Sequence, residues 1–435
     1  MERYKAYKDS GIDWIGHIPA DWICANLGAI AKQRKNLNKD GQVNTVLSLS
    51  YGNIRRRIMD NTGLLPESFN TYNVIEDGDV VLRLTDLQND QRSLRVGLCH
   101  EQGIITAAYT TLEPQSIESR YLFYSLAVFD YWKGFYGLAG GVRQSLMFDG
   151  IRSLRFPLPS RTEQQAIVDY LDAKTVEIDA LVADCEREVE LLQEYRKAVI
   201  SEAVTKGLNP DALMKDSGVE WIGKIPESWH AAPLKHMVAS IESGTSLDGA
   251  NWPASDDEKG VLTLSSVYQS RFDASCNKAV SPELYERLSC PLKNGTLLIS
   301  RCNTSEWVGT AAYVHDAPDN LFLPDKLWQL SFTFDFICRY IQYALQANVA
   351  RNYFAALSVG ASSTMQNIAK PDLLAAPIAI PDENEITVVV DYLDTKTTET
   401  DALIQAKQSM IDKLREYRRS LISEALTGKF KVPGI

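Results

Sequence analysis

Long apolar runs are missing from this chain: nothing in it approaches the ~18 consecutive apolar residues that cross a bilayer. The first residues, Met1 to Gly11, lack both an apolar core and a cleavage pattern, so no secretory signal is expected. Histidine is scarce, at five residues, and none sits in an HExxH pattern. The seven cysteines, at 24, 99, 185, 276, 290, 302 and 338, are odd in number and form no CxxC pair. That argues against a zinc ribbon or a disulfide framework and points to reduced thiols in the cytoplasm. GxSxG, GxGxxG and Asn-Pro-Pro-aromatic patterns are absent as well. One decoy remains. Gly218-Val219-Glu220-Trp221-Ile222-Gly223-Lys224 follows a phosphate-binding loop as far as its lysine. The next residue is Ile225, where a Ser or Thr must ligate magnesium, and a tryptophan fits poorly around phosphate. No catalytic residue, no metal site and no cofactor are therefore expected on this chain.

What is present is a balanced composition, with 45% hydrophobic and 23% charged residues, and a length of 435 residues that suits two to four domains. The net charge of −11 is unevenly spread: residues 161–230 carry 8 basic and 15 acidic side chains, residues 24–160 carry 15 and 13. Acidity is thus concentrated in a central segment, and the charge permits a local basic face elsewhere.

The chain is written twice. Asp9-Ser10-Gly11-Ile12-Asp13-Trp14-Ile15-Gly16-His17-Ile18-Pro19 returns as Asp216-Ser217-Gly218-Val219-Glu220-Trp221-Ile222-Gly223-Lys224-Ile225-Pro226, and Trp22 returns as Trp229. Asp169-Tyr170-Leu171-Asp172 returns as Asp391-Tyr392-Leu393-Asp394, and Glu194-Tyr195-Arg196 as Glu416-Tyr417-Arg418. Shared ends around unlike middles imply one frame holding two different inserts.

The frame reads as helical. No Pro or Gly interrupts Thr162 to Lys206, and Leu171, Ile178, Cys185, Leu192 and Val199 recur at seven-residue steps, a coiled-coil seam. Ile167, Leu181 and Tyr195 extend the adjoining seam position, Thr162 with Gln165 fits a capping box, and Gly207 and Pro210 mark the stop. The second helix begins at Asp382 with Glu385, runs through Leu403, Met410, Leu414 and Leu421, with Thr400 and Lys407 at polar seam positions, and stops near Gly428. A lone helix of that length cannot bury its stripe, so the two copies are expected to pair. The four frame tryptophans, Trp14, Trp22, Trp221 and Trp229, read as packing residues, and Glu186, Glu190 and Glu194 as a solvated or subunit-facing surface.

Residues 43–51, 260–268, Val80 to Leu82 and Leu297 to Ile299 are β-type runs. Each insert closes on a proline-marked strand, Phe156-Pro157-Leu158-Pro159 and Ala376-Pro377-Ile378-Ala379. The spans expected are a frame segment 1–23, a first recognition domain 24–160, a helix and linker 161–230, a second recognition domain 231–377 and a final helix 378–435.

Two unlike inserts, each preceded by the Asp-Ser-Gly to Ile-Pro motif and followed by a proline-led helix, resemble the specificity subunits of type I restriction-modification systems. Leu158-Pro159-Ser160-Arg161-Thr162-Glu163-Gln164 leading into Ile167-Val168-Asp169-Tyr170-Leu171-Asp172 is similar to that family's strand-to-helix junction. The resemblance implies an α+β protein: two α/β target-recognition domains joined by two long helices in an antiparallel coiled coil with a pseudo-two-fold internal repeat. It implies that each domain reads half of a split, asymmetric site on double-stranded DNA while the helices set the gap. It implies two modification (methyltransferase) subunits docked on the helices and a motor-nuclease restriction subunit that joins for cleavage. S-adenosylmethionine, magnesium and ATP would belong to those partners. Since residues 1–23 match a segment that follows the first helix, the N-terminus is expected beside the C-terminal helix.

Direct readout needs Arg, Lys, Asn or Gln on loops that reach base edges. In the first insert the candidates are Asn53, Arg55, Arg56 and Arg57; Gln88, Asn89, Arg92 and Arg95; and Arg143 and Gln144 after a glycine pair. In the second they are Arg301, Asn303, Thr304, Lys326, Ser363 and Gln366. Taken alone such runs read as solvated loops; the resemblance turns them toward DNA. Two other classes compete. A coiled-coil adaptor with two heads that do not bind DNA is the alternative, and a stand-alone nuclease or methyltransferase ranks below it for want of a motif.

Overall fold

The computed structural model describes residues 2–57, 68–87, 94–138, 145–362 and 365–435, without the side chains of residues 361 and 362. The chain forms two units, Met1–Glu186 with Ser409–Ile435, and Arg187–Gln408. Four helices organise them: α1 (Ser119–Tyr131), α2 (Arg161–Lys206), α3 (Ile337–Gln346) and α4 (Glu383–Leu426). No helix among the described residues is long and apolar enough to cross a membrane.

In the first unit a six-stranded sheet runs in the order Ala31–Gln33, Thr110–Pro114, Val80–Leu82, Val96–Leu98, Asn53–Arg56, Leu47–Ser50. Its pairs are antiparallel except Asn53–Arg56 with Val96–Leu98. Val80, Leu82 and Val96 bury against Tyr121, Leu122 and Val128 of α1 in one core that reaches Leu171 and Ile178 of α2 and Leu421 and Ile422 of α4. In the second unit the strands Val238–Ser243, Leu327–Phe332, Thr296–Ser300 and Ala311–Val314 form a sheet in that order. It packs on Tyr340, Ile341 and Leu345 of α3, and the core continues to Ile200 and Val204 of α2 and Val389 and Leu393 of α4. The two units thus share a four-strand nucleus and differ outside it.

Each insert is closed at its base by its own two ends. Ile23–Asn26 pairs antiparallel with Arg155–Leu158, and His230–Pro233 with Pro377–Ile380. Because these strands satisfy each other's backbone groups, the residues between them can change length without disturbing the frame. The Asp-Ser-Gly to Ile-Pro motif is a hairpin in both units, Tyr7–Asp9 with His17–Pro19 and Met214–Asp216 with Lys224–Pro226. Asp9 and Asp216 accept the backbone N–H of Gly11 and Gly218, each at 2.9 Å. The decoy phosphate loop is therefore the bend of a β-hairpin, built on an Asx turn.

The two long helices run antiparallel within each unit. In the first, Asp179 of α2 pairs with Arg418 of α4 at 2.9 Å and Glu186 with Arg415 at 2.7 Å, so residue number rises along one helix as it falls along the other. In the second, Arg196 pairs with Asp401 at 2.8 Å and Glu188 with Lys407. The seven-residue row Leu171, Ile178, Cys185, Leu192, Val199 faces inward, buried or half-buried throughout.

Its companion row corrects the expectation. Ile167 is buried as expected, but Leu181 and Tyr195 are exposed, as are Leu403 and Met410. The inward companions on α2 are Thr175, Val182, Val189, Arg196 and Ala203, and on α4 Ile404, Ile411, Arg418 and Ala425. Apolarity pointed to the wrong flank because two of the true seam positions are arginines satisfied across the helix pair. The capping box is also displaced. Ser160, not Thr162, caps α2, its hydroxyl accepting the N–H of Glu163 at 3.3 Å. Asp382 caps α4 by accepting the N–H of Glu385 at 2.9 Å. The repeat offset of 222 that maps Asp382 onto Ser160 carried that answer.

The N-terminal segment lies beside the end of α4, as the repeat implied. The backbone of Glu2 pairs with that of Lys431, whose N–H donates to the Glu2 carbonyl at 2.8 Å, and the Lys429 ammonium donates to the carbonyls of Ile15 at 3.1 Å and His17 at 2.9 Å. Trp22 and Trp229 are both fully buried. At roughly 150–250 Å² per tryptophan and ~25 cal/mol per Å², each contributes about 4–6 kcal/mol of burial. Glycine is required where the helices end: Gly428 has φ +67°, and a Cβ there would sit 2.3 Å from the Pro19 ring.

Candidate nucleic-acid interface

Whatever the inserts bind, they must first be held on the helices. Both units use the same device. In the first, Arg120 of α1 donates to Asp172 at 2.6 Å and Asp169 at 3.0 Å on α2, and the Tyr124 hydroxyl donates to Asp172 at 2.7 Å. In the second, Arg339 and Tyr343 of α3 both reach Asp394 of α4. The carboxylates raise the proton affinity of Arg120, outweighing the opposing effect of burial. Burial, with Asp394 as acceptor, pushes the Tyr343 phenol up to about 12. One turn further in, the buried Tyr121 hydroxyl lies 3.2 Å from the carbonyl of Pro157 and 3.4 Å from that of Leu426. Tyr340 repeats this toward Ala379, at 2.7 Å, and Val204, at 3.3 Å. Each insert is thus pinned to its own closing strand, to the start of the helix that follows it and to the end of the other helix. Arg120-Tyr121 and Arg339-Tyr340 were visible in the sequence as helix openings, but not as clamps.

The clearest outward polar face in the first unit is a hairpin. Leu47–Ser50 pairs with Asn53–Arg56 through a two-residue turn in which Tyr51 has φ 47° and Gly52 φ 81°. Such a turn matches the twist of the flanking strands. The positive φ of Gly52 favours glycine, and a Cβ there would also push on the Leu94 side chain, 2.5 Å from its Cδ2. Strand alternation then sorts the side chains. Leu47, Leu49 and Ile54 face a small core with Ile75, Val81, Cys99 and Ile105. Asn53 and Arg55 point the other way, opposite Ser50 and Ser48, and Arg57 continues their row. Tyr51 is 75% exposed at the turn. An exposed aromatic tip beside Asn, Arg and Arg can combine base stacking, amide readout and phosphate contact. Arg56 falls on the other side of the strand. It grips Glu101 with Nε at 2.9 Å from both carboxylate oxygens, and that bond holds the Glu101 carboxyl below its usual range. Its fork is engaged, whereas Arg55 has no such partner among the described residues.

The second unit gathers its candidates differently. Arg301 donates its N–H to the Lys326 carbonyl at 3.1 Å, and its own carbonyl accepts from Ile368 at 3.0 Å. Asn303 lies opposite Gln366 in the pairing of Cys302–Asn303 with Met365–Asn367. Arg301, Lys326 and Gln366 therefore share one strand cluster although 65 residues separate the first from the last. Trp307, six residues after Arg301, stacks on Tyr268, with centroids 5.2 Å apart and planes at 27°. Thr304 is half-buried, and its hydroxyl has no hydrogen-bond partner among the described residues.

Two candidates are corrected. Arg95 is fully buried. Its guanidinium donates to the Tyr136 hydroxyl at 3.0 Å and to the carbonyls of Arg83, Thr85 and Asp86 at 3.1, 2.6 and 3.0 Å. It organises the loop from inside and has no path to a base edge. Asn303 is buried too, and its amide oxygen accepts the N–H of Thr304 at 2.9 Å. Gln88, Asn89, Arg92, Arg143, Gln144 and Ser363 lie outside the described residues.

No family model matches the chain. It is 24% identical over 285 residues to the specificity subunit of the type I restriction enzyme EcoKI of Escherichia coli K12, a match covering 63% of this chain and 58% of that subunit. Against the EcoEI specificity subunit of Escherichia coli the identity is 25% over 160 residues, covering 27% of that relative. The likeness to the MjaVIII specificity subunit of Methanocaldococcus jannaschii runs almost end to end, 23% identical over 432 residues, covering 96% of this chain and 95% of the relative. Among solved structures, a chain from a type I restriction-modification assembly superposes with a TM-score of 0.66, at 15% identity, covering 95% of this chain and 99% of that one. At that identity the superposition speaks for the fold.

Proposed function

We propose that this chain, which belongs with the type I restriction specificity subunits, is the DNA-reading subunit of a type I restriction-modification complex and carries no chemistry itself. The observation that bears most weight is the pairing of a duplicated frame with two unlike heads. Helices, clamps, hairpins and closing strands recur at near-constant offsets, while the surfaces outside the shared sheet differ. A protein that presents one rigid scaffold twice and varies only what it displays is built to read two different things. Two half-sites of a split, asymmetric DNA target fit that demand.

In the first head the readout falls to Asn53, Arg55 and Arg57 with Tyr51 at the turn, joined by Gln88, Asn89, Arg92, Arg143 and Gln144. In the second it falls to Arg301, Lys326, Thr304, Ser363 and Gln366. Arginines and lysines supply phosphate attraction, and the amides supply base discrimination. The antiparallel helices set the gap between half-sites and dock two modification subunits, on which S-adenosylmethionine is used. A motor-nuclease subunit completes the cleaving complex. Exposed acids such as Glu190 and Glu194 suit a subunit-facing surface, whereas Glu186 is shared with Arg415.

The test is co-expression with a modification subunit, followed by single-molecule mapping of methyladenine on random DNA. The expected result is a bipartite, asymmetric motif with one fixed unspecified gap. Absence of new methylation, with a partner that is active beside another specificity subunit, refutes the proposal.

A further inference from the structure

Two arginines occupy positions where a helix pair ordinarily buries an aliphatic side chain. Arg196 lies on the inward row of α2 and Arg418 on the inward row of α4, each only half-buried. They are the same residue of the repeat, the third of Glu194-Tyr195-Arg196 and of Glu416-Tyr417-Arg418. Their partners repeat as well: Asp179 and Asp401 are equivalent residues of Glu177-Ile178-Asp179-Ala180-Leu181 and Glu399-Thr400-Asp401-Ala402-Leu403. The contacts cross between the helices in both units. Arg196 of α2 donates its Nε–H to Asp401 of α4 at 2.8 Å, and Arg418 of α4 is ion-paired with Asp179 of α2, Nε lying 2.9 Å from Oδ1 and Nη2 donating to Oδ2 at 3.3 Å. Each guanidinium then reaches a third element. Arg196 Nη1 donates to Gln346 of α3 at 3.3 Å, and Arg418 Nη1 to the Tyr131 hydroxyl at the end of α1 at 3.4 Å.

An apolar residue at these seam positions would bury more surface and leave no charge to satisfy. A polar residue there contributes something else: it accepts only one axial alignment, because in any other it faces no partner. A slip of one heptad moves a helix by about 10 Å, the rise of seven residues at ~1.5 Å. That equals roughly three base pairs at ~3.4 Å each. Apolar contacts alone tolerate such slips better than a fork aimed at one carboxylate.

We infer that the twin pairs Arg196–Asp401 and Arg418–Asp179 are positioning residues that lock the register of the two helices and the seat of each reading head, and so fix the gap of the DNA target. The inference rests on the reading function proposed above. The arginines touch no DNA in this role; they act through the helices.

The experiment uses the full chain co-expressed with a modification subunit, with methyladenine mapped genome-wide. Wild type gives one bipartite motif with one gap. Arg196→Ala and Arg418→Ala keep both half-sites, lose at least tenfold of the methylation at the wild-type gap, and methylate sites whose gap differs. The reciprocal exchange Arg196→Asp with Asp401→Arg restores the single gap, a rescue that mere loss of stability would not give. Where Arg196→Ala fails to fold, Arg196→Lys replaces it, since it keeps the charge and loses the fork. A folded variant that methylates the same motif at the same gap and level overturns the inference, as does an exchange that leaves the gap broadened. A wild-type chain with no bipartite motif overturns both readings, whereas a wild-type motif with unaltered variants overturns the register assignment alone.

Discussion

Replacing Arg95 by methionine separates a core arginine from a DNA-reading one. Methionine keeps much of the length and apolar stem of the side chain but donates nothing. The change removes one hydrogen bond to the Tyr136 hydroxyl and three to the carbonyls of Arg83, Thr85 and Asp86. It also removes the guanidinium packed 5.4 Å from the Tyr136 ring centroid. Hydrogen bonds from a charged donor contribute ~1.5–3 kcal/mol each. Water recovers part of that loss, because Arg83, Thr85 and Asp86 are not buried. The net cost is then about 3 kcal/mol, near the lower end for breaking a buried charged network. For a unit of this size a kilocalorie moves the melting midpoint by ~2–4 °C, so the first unit should melt roughly 6–12 °C lower. Circular dichroism on heating reads that shift, and anisotropy titrations of a target duplex at several salt concentrations read binding. The salt dependence of binding should not change, because Arg95 meets no phosphate, while affinity falls only as far as the segment carrying Gln88, Asn89 and Arg92 loosens. An unaltered melt together with weaker binding and a salt slope smaller by about one would refute the assignment of Arg95 to the core.

The twin tryptophans offer an internal comparison. Trp229 donates its Nε1–H to Glu385 at 2.7 Å, whereas Trp22 Nε1 has no partner among the described residues. Trp229→Phe should therefore destabilise more than Trp22→Phe, by about 1–2 kcal/mol in urea titrations, because only the former strands a carboxylate acceptor; equal losses would count against the bond. Gly428→Ala should cost roughly 2–3 kcal/mol, from its left-handed backbone and the 2.3 Å approach to Pro19, while Gly16→Ala, with φ +68° and open space around it, should cost only the ~1–2 kcal/mol of backbone strain. Indistinguishable melting curves for the two would show that Pro19 yields. Arg55→Ala should weaken duplex binding and lower the salt slope by about one, and Arg56→Ala should do less because Glu101 already engages that fork. A larger effect at Arg56 than at Arg55 would reverse the facing of the hairpin.

Much of this protein is one-dimensional information. The two offsets, 207 and 222, reveal a duplicated frame before any coordinate is known. The uninterrupted run to Lys206 reads as a helix because helix formation depends on near neighbours and on the absence of Pro and Gly. The closing strands, the glycine stops and the unlike inserts are legible for the same reason. The first row of the helix seam is legible too, since Leu171, Ile178 and Cys185 are apolar and in phase. Tertiary structure decided the rest, wherever the fate of a polar side chain depends on a distant partner. Arg196 sits in the seam and Leu181 outside it because Asp401, 205 residues away, satisfies the arginine. Arg95 and Arg55 look alike in sequence, yet one is fully buried and the other exposed, because the carbonyls of a single loop turn inward to meet the first. Periodicity predicts where apolar residues go. The burial of a charge follows only from the geometry that gathers its partners.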